Sequence, residues 1–579
     1  MFTSQAVLFL LQLSPVLSAS LRPEARANAG GQQQIIVSEP ATEGFKCDLP
    51  PVRAPPADDG LPSSDIFASD AALKKQVERH SAVVQVPSVC YDDLSDNFDE
   101  DERWLPFYDL HEVLADLFPL VHSRAKVEKI NRFGLVYTFA GSNSSLKPIL
   151  LAAHQDVVPV ADPSTWTYPP FSAHYDGTYL WGRGASDDKN SLVALMSALE
   201  TLLSTASWTP HRTIILAFGF DEECSGRRGA GSIAKHLESV WGNGSVAMIL
   251  DEGGMGLQLL DDTLYALPAV LEKGHVDIKF VLYINGGHSS IPYPHTGIGV
   301  ISEIVVALES HPYEPRLTKS SPLYNHLVCQ ARYSPDAAPK ITELLKHDDL
   351  EALAQELVSI DRPTQFRLQT SQAVDIIHGG VKINAMPEVI TLQVNYRVAP
   401  HNSIPEIQKN VIKYIQPIVE KYSLVVEAFE GDQEFWDFAN EDLSDLIPSG
   451  GAVMDDVRPM YEVSYNGTLV LSASQKTAVA PTSPTVGSPI WDAFSGVIQH
   501  SFGFPGGKVV PASELMTGNT DTRHYLTDLS KNVYRWTPTR QGYTFNAHTV
   551  DEHINMKAHM EALTFYYDLI RVFDVEEDF

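Results

Sequence analysis

Residues 148–156 read PILLAAHQD, an apolar run that ends in an imidazole and a carboxylate. Two later stretches repeat the arrangement: TIILAFGFDEE at 213–223 and VAMILDEGG at 246–254. Uninterrupted apolar runs of this length suit strands buried on both faces of a parallel sheet. In open α/β sheets, ligands bind beyond the carboxyl ends of such strands. His154, Asp156, Glu222, Glu223 and Asp251 should therefore converge at one sheet edge. A mixture of imidazole nitrogen and carboxylate oxygen suits divalent metals.

Working outward, the Gly-rich WGRGASDDKN at 181–190 precedes a helical pattern formed by Leu192, Leu195, Met196, Leu199, Leu202 and Leu203. Asp187 and Asp188 stand before that helix, where free N–H groups and the macrodipole favour carboxylates. Strands are expected at Ile149–Ala153, Thr213–Gly219 and Val246–Leu250, joined by parallel crossovers. Near residue 275 the period changes to two, in VDIKFVLYING and again in ITLQVNYRV. Period two means one buried and one wet face, hence an antiparallel sheet in a second, smaller domain. Helical patterns at Ile298–Leu308 and Ile404–Glu420 would cover it, and a further one runs over Ile341–Leu357. The expected organisation is a catalytic domain over 66–275 and 432–579, interrupted by an inserted α+β lid domain at 276–431.

The chain has 579 residues and a net charge of −31, which disfavours nucleic acid and anionic membranes as partners. Residues 1–19 hold a short apolar stretch followed by small residues and read as a secretory signal peptide, with an uncleaved anchor as the alternative. No other segment approaches a membrane span. Three sequons, at Asn143, Asn243 and Asn466, agree with secretory entry. Residues 20–65, rich in Ala, Gly, Gln, Pro and Ser, read as a flexible pro-region or linker. The acidic run Asp92–Glu102 reads as a solvated loop. Four cysteines, Cys47, Cys90, Cys224 and Cys329, do not make a disulfide scaffold, and Cys224 reads as a buried structural thiol.

Singly, a His at a strand end or an Asp pair before a helix is an ordinary structural group. Together, HQDVVPV, GRGASDDKNS, FDEECSG, ILDEGG, NGGHSS and NAHTVDE resemble the M20 metallopeptidases, and most of all carboxypeptidase S and the secreted N-acyl-amino-acid hydrolases. The resemblance runs from about residue 100 to the C-terminus. It implies an α/β zinc-peptidase domain carrying a ferredoxin-like lid, and a site for two Zn²⁺. His154, Asp187, Glu223, Asp251 and His548 would be the ligands, with Asp187 bridging. Asp156 would orient His154, and Glu222 would be the general acid/base. His288 resembles the lid histidine that stabilises the oxyanion, and Asn384 and Arg397 resemble substrate-binding positions; the Gly518–Arg523 loop would line the pocket without a catalytic role. The expected substrate is a short peptide with a free C-terminal carboxylate. An N-acyl amino acid is the rival within the same chemistry, and a catalytically silent binding protein the rival of another class. The resemblance further implies delivery to a vacuole lumen or the extracellular space, and it allows a homodimer.

Overall fold

A computed structural model describes residues 44–439, 463–526, 528–577 and 579. The signal-peptide reading lies outside the described residues, as does the first part of the linker. The three apolar runs are central strands, Ile149–His154, Ile214–Gly219 and Met248–Asp251, and every residue of each is buried. They are adjacent and parallel, with His154 level with Gly219 and Leu151 level with Leu250. Around them the sheet grows to eight strands. Lys126–Ile130 and Gly134–Phe139 join antiparallel on one side; Val533–Arg535, Ala269–Glu272 and Glu514–Met516 follow on the other. The Lys189–Ser204 helix covers one face with the C-terminal helix Met556–Val575, and Ala230–Trp241 covers the opposite one.

The second sheet has five strands in the order Ser371–Gly379, Val389–Val398, Gly274–Tyr283, Thr468–Thr477, Val425–Ala428. Its alternation is the one the sequence shows: Val276, Ile278, Phe280 and Leu282 are buried, as are Ile390, Leu392, Val394 and Tyr396. Helices Gly297–Glu309 and Ile404–Tyr422 pack on that face. Two expected boundaries change. The sheet does not close at residue 431, because Thr468–Thr477 pairs antiparallel with Gly274–Tyr283. The stretch read as one helix, Ile341–Leu357, is two, Pro339–Lys346 and Leu350–Val358, because Asp349 caps a new start by accepting from Ala352 N–H. These two and the neighbouring Pro322–Tyr333 and Arg362–Leu368 leave the lid and pack on Leu271 and Leu515 of the large domain.

The linker and thiol expectations are also corrected. Cys47 pairs with Cys329 and Cys90 with Cys224, so no cysteine is free. Partners 282 and 134 residues apart carry no local spacing from which pairing could be read. Within the described part of the linker, residues 44–65, the chain is a strap. Arg53 N–H donates to Gly496 O, and Arg571 donates to the Asp59 carboxylate and to the carbonyls of Pro56 and Pro62. The Asp92–Glu102 loop is at the surface, but arginines gather it: Arg103 pairs with Asp93 and Asp101, Arg132 with Asp99, and Arg228 with Asp96. Among the described residues no helix is long and apolar enough to cross a membrane.

A cross-link that closes so long a loop restricts the unfolded chain. Replacing Cys47 and Cys329 together by serine should lower stability by about 2–4 kcal/mol, read as a shifted denaturant midpoint, and should open residues 44–65 to limited proteolysis. An unchanged midpoint with the strap still protected would refute this.

Candidate metal centre

The parallel strands bring their three carboxyl ends to one edge, and the hydrogen bonds beyond them define the site. His154, 1 % exposed, donates from Nδ1 to the Asp156 carbonyl at 2.9 Å. That leaves Nε2 facing forward, the orientation that metal-ligating histidines take. Nε2 lies 3.0 Å from Asp187 Oδ1 and 3.4 Å from Glu252 Oε1. The Asp156 carboxylate is fully buried and accepts from the N–H groups of Glu222 (3.1 Å) and Glu223 (3.0 Å). One residue of the HQD motif therefore holds the turn that presents both glutamates. The Cys90–Cys224 bond pins the end of that turn, and Cys90 N–H donates to Val157 O, next to Asp156.

Asp187 is positioned from the far end of the sequence. Glu552, 1 % exposed, accepts from Arg183 Nη1, from the N–H groups of Gly184, Ser186 and Asp187, and from Ser186 Oγ. One carboxylate thus replaces water for the whole Gly-rich loop. Asp187 Oδ1 faces His154, while its Oδ2 lies 3.1 Å from Nε2 of His548. The same His548 nitrogen is 3.1 Å from Glu223 Oε2. Asp187 thereby stands between two imidazoles, one oxygen to each.

Ligand atoms of His154, Asp187 and Glu223 lie within 4.8 Å of one another, as do those of His154, Glu222 and Glu252. Asp251 belongs to neither group. Its Oδ1 accepts from Glu252 N–H, and its Oδ2 is buried without a protein partner. The oxygen that reaches His154 belongs to Glu252, which differs from the expected ligand set. The two residues adjoin in one motif, but Asp251 ends the buried strand while Glu252 lies on the turn beyond it.

Burial raises the pKa of Glu222 well above the ordinary carboxylate value, with Glu252, Asp521 and Glu223 adding repulsion. Burial and Asp187 push Glu223 up to about 7; burial and Glu252 push Asp251 up to about 7. Hydrogen bonds to Asp187 and Glu223 raise His548 to about 10. Burial opposes protonation of His154, but Glu252, Asp156 and Asp187 carry its pKa well above the usual imidazole value. So many crowded carboxylates, with Glu223 Oε1 unpartnered, are a donor set that fits divalent cations.

The expected lid residues divide. Arg397 is tied to the GNTDTR loop of the large domain: its Nη1 donates to Asn519 Oδ1 at 2.8 Å, and Asn519 in turn donates to Lys273 O. The same GNTDTR loop carries Arg523, whose Nη2 is 3.5 Å from Glu222 Oε1. The loop expected only to line the pocket therefore brings a guanidinium to the proposed base, and nothing in the local sequence sets Arg523 apart. Burial lowers the Arg397 pKa and Arg523 adds to the effect, whereas Asp277, Glu222 and Glu272 oppose it. His288 and Asn384 sit elsewhere, His288 in the short ribbon of Gly287–His288 and Ala385–Met386 and Asn384 just before its second strand. His288 is exposed and accepts at Nδ1 from Ser290 N–H and Oγ, while Ser289 N–H donates to Asn384 O. Their hydrogen bonds stay within this ribbon and do not reach the centre.

Two outcomes follow from this geometry. Glu552→Gln keeps the size but removes the charge opposite Arg183, so divalent-metal affinity should fall about 10–100-fold, measured by competition with a chelator; unchanged affinity would show that the loop holds itself. Ligands bind metal only when deprotonated. Because the metal-free Glu223 sits at about 7, acidification below neutrality puts a proton where metal would bind. Affinity should therefore decline steadily from pH 7.5 to about 5.5, and a flat profile by calorimetry would contradict it.

Comparison with known proteins identifies the family. The profile of Peptidase family M20/M25/M40 matches residues 150–572. An uncharacterized carboxypeptidase of Schizosaccharomyces pombe is 38% identical over 544 residues, covering 92% of this chain and 86% of that protein. Carboxypeptidase S of Saccharomyces cerevisiae is 35% identical over 529 residues, covering 88% and 86%. An N-fatty-acyl-amino acid synthase/hydrolase of Danio rerio is 28% identical, covering 88% of each. Among solved structures, human carnosine dipeptidase 1 has a TM-score of 0.58 at 12% identity, covering 90% of this chain and 99% of that one, a likeness of fold. The chain belongs to peptidase family M20/M25/M40 and is a metal-dependent peptidase.

Proposed function

We propose that the protein is a two-zinc exopeptidase that removes the C-terminal residue of short peptides. The observation that carries the reading is the meeting of His154, Asp187, Glu223, Glu252 and His548 beside a half-buried glutamate, Glu222, whose Oε1 lies 3.5 Å from Arg523. In this reading Glu252 takes the ligand place first expected of Asp251. Zinc ions held by these five residues would polarise the scissile carbonyl and make water acidic enough to react near neutrality. Glu222 supplies the proton chemistry. Its raised pKa suits it to take a proton from the attacking water and return it to the leaving nitrogen. Arg523 beside it and Arg397 beyond Asn519 offer permanent cations to the substrate's α-carboxylate. His288 and Asn384, on the lid ribbon, would reach the substrate only on closure between the two domains.

The same machinery would act on an N-acyl amino acid, which also presents an amide next to an α-carboxylate. A binding protein without turnover would be marked by loss of Glu222 or of a ligand, and all stand in place. The two disulfides support a route through an oxidising secretory compartment, towards a vacuole lumen or the exterior. Exposed Asn243 and Asn466 would be accessible for glycosylation there. A homodimer through the lid is supported by its edge strand Ser371–Gly379, where Ile376 and Ile377 are exposed.

Glu222→Gln should keep its metal and lose about 10²–10⁴-fold in kcat, by elemental analysis alongside turnover of a peptide panel. Loss of metal would make Glu222 a ligand and sink its role as base. For Arg397→Ala we expect a KM about tenfold or more higher on substrates with a free carboxylate, and a much smaller change on their C-terminal amides. An equal effect on both would assign Arg397 a purely structural task.

A further inference from the structure

Burial fixes His154, but it does not fix His548, whose side chain is 54% exposed. Nor is the backbone around it relaxed. Asn546, His548 and Asp551 all lie at positive φ, at 60°, 63° and 62°. Residues other than glycine keep that conformation only where their surroundings impose it. Here the imposing contacts gather on Asp551. Its carboxylate accepts from Thr167 N–H and Oγ1, at 2.7 Å each. Its carbonyl accepts from Asn546 Nδ2 at 3.3 Å and from His553 Nδ1 at 2.6 Å. Arg183 Nη2 adds a bond to Thr549 O at 3.2 Å.

His553 is itself held by rings. Strands Thr544–Phe545, His553–Asn555, Tyr179–Trp181 and His174–Tyr175 form a four-stranded sheet in that order. Period two gives this sheet a core face at Leu180 and Ile554, both fully buried. On the opposite face, where polar residues are usual, it carries partly exposed rings. His553 is level with Trp181 on one neighbouring strand and with Phe545 on the other. Its ring stacks on Trp181 at 3.9 Å and on Phe545 at 4.8 Å, with interplanar angles of 21° and 16°. Tyr179 meets it edge-on at 5.2 Å. Tyr168, the neighbour of Thr167, meets Trp181 edge-on at 5.4 Å. Trp181 leads into the Gly-rich loop that carries Asp187, and Phe545 leads into the loop that carries His548. One stack therefore spans the roots of both residues.

We infer that the Trp181–His553–Phe545 stack is a positioning device for His548. The stack aims the His553 ring at the Asp551 carbonyl, and that bond, with the Thr167 clamp, keeps the loop in its strained backbone. His548 Nε2 is thereby held 3.1 Å from both Asp187 Oδ2 and Glu223 Oε2. Without the stack the loop would relax towards negative φ, and an exposed imidazole would turn to water. The inference rests on the proposed function in one respect, that His548 is a ligand. The three rings act through His548, so they set how tightly a metal facing it is held and take no part in the chemistry.

The experiment is a double-mutant cycle on the full chain, read as Zn²⁺ affinity by competition with a chelator. Trp181→Ala should weaken binding about 10–100-fold, the range for groups that orient a metal ligand. Trp181→Phe, which keeps a stacking face, should recover most of that loss. His548→Ala should weaken binding at least as much as Trp181→Ala. Adding Trp181→Ala to His548→Ala should then change nothing further, because residues that act as one unit are not additive. Losses that add in the double variant overturn the inference, since the ring would then act on the fold or on the Asp187 loop. Unchanged affinity in Trp181→Ala overturns it as well. Phe545 is 37% exposed, so Phe545→Ala carries the same cycle if Trp181→Ala does not fold. If His548→Ala alone binds Zn²⁺ as tightly as the wild type, His548 is no ligand and the proposed function fails instead.

Discussion

Carboxylates that face one another out of water repel, and that constraint organises this molecule. Asp187, Glu222, Glu223 and Glu252 are brought around a single buried imidazole, His154. Desolvating charges costs several kcal/mol apiece unless they are compensated. The protein compensates only part of this. His548 faces two of the acids and Arg523 a third, while Glu223 Oε1 has no partner. What remains is a demand for positive charge, the kind that a divalent metal supplies.

Holding acids apart from their solvent requires a stiff frame, and the frame is assembled from residues that do no chemistry. Asp156 grips the glutamate turn by two backbone N–H groups, and Glu552 grips the Gly-rich loop by three more. Behind the first, the Cys90–Cys224 bond ties that turn to the segment leading into Val157. Buried acceptors of this kind are satisfied completely or they destabilise. Their work is positional, since an ångström of drift at a multidentate site costs more than the bonds themselves contribute.

The lid and the wall formed by the four helices at 322–368 divide the remaining tasks. The lid is joined to the large domain by the strand that begins at Gly274, and its Arg397 reaches across to Asn519. The wall, although it is inserted within the lid sequence, belongs mechanically to the large domain through Glu514, Lys273 and Cys47. A lid motion would therefore carry Arg397 and the His288 ribbon, and leave the 322–368 helices fixed to the large domain.

Read alone, the chain already determined the parallel core, the second sheet and most of the centre. Strand periodicity is local, and a strand end is visible where an apolar run meets a polar cluster. His154, Asp156, Asp187, Glu222 and Glu223 were legible because each lies at such an end or in the glycine-rich turn beside it, and His548 through its motif. Tertiary structure alone decided what depends on distance through space. Of the neighbours Asp251 and Glu252, only folding tells which one faces His154, since the chain turns between them. Arg523 looks like any loop arginine until the loop lies against Glu222. The pairing of four cysteines, the strand Thr468–Thr477 that completes the lid sheet, and the side on which the 322–368 helices come to rest are contacts between segments far apart in sequence. No local pattern encodes such contacts, because they are set by which buried surfaces fit once the core has formed.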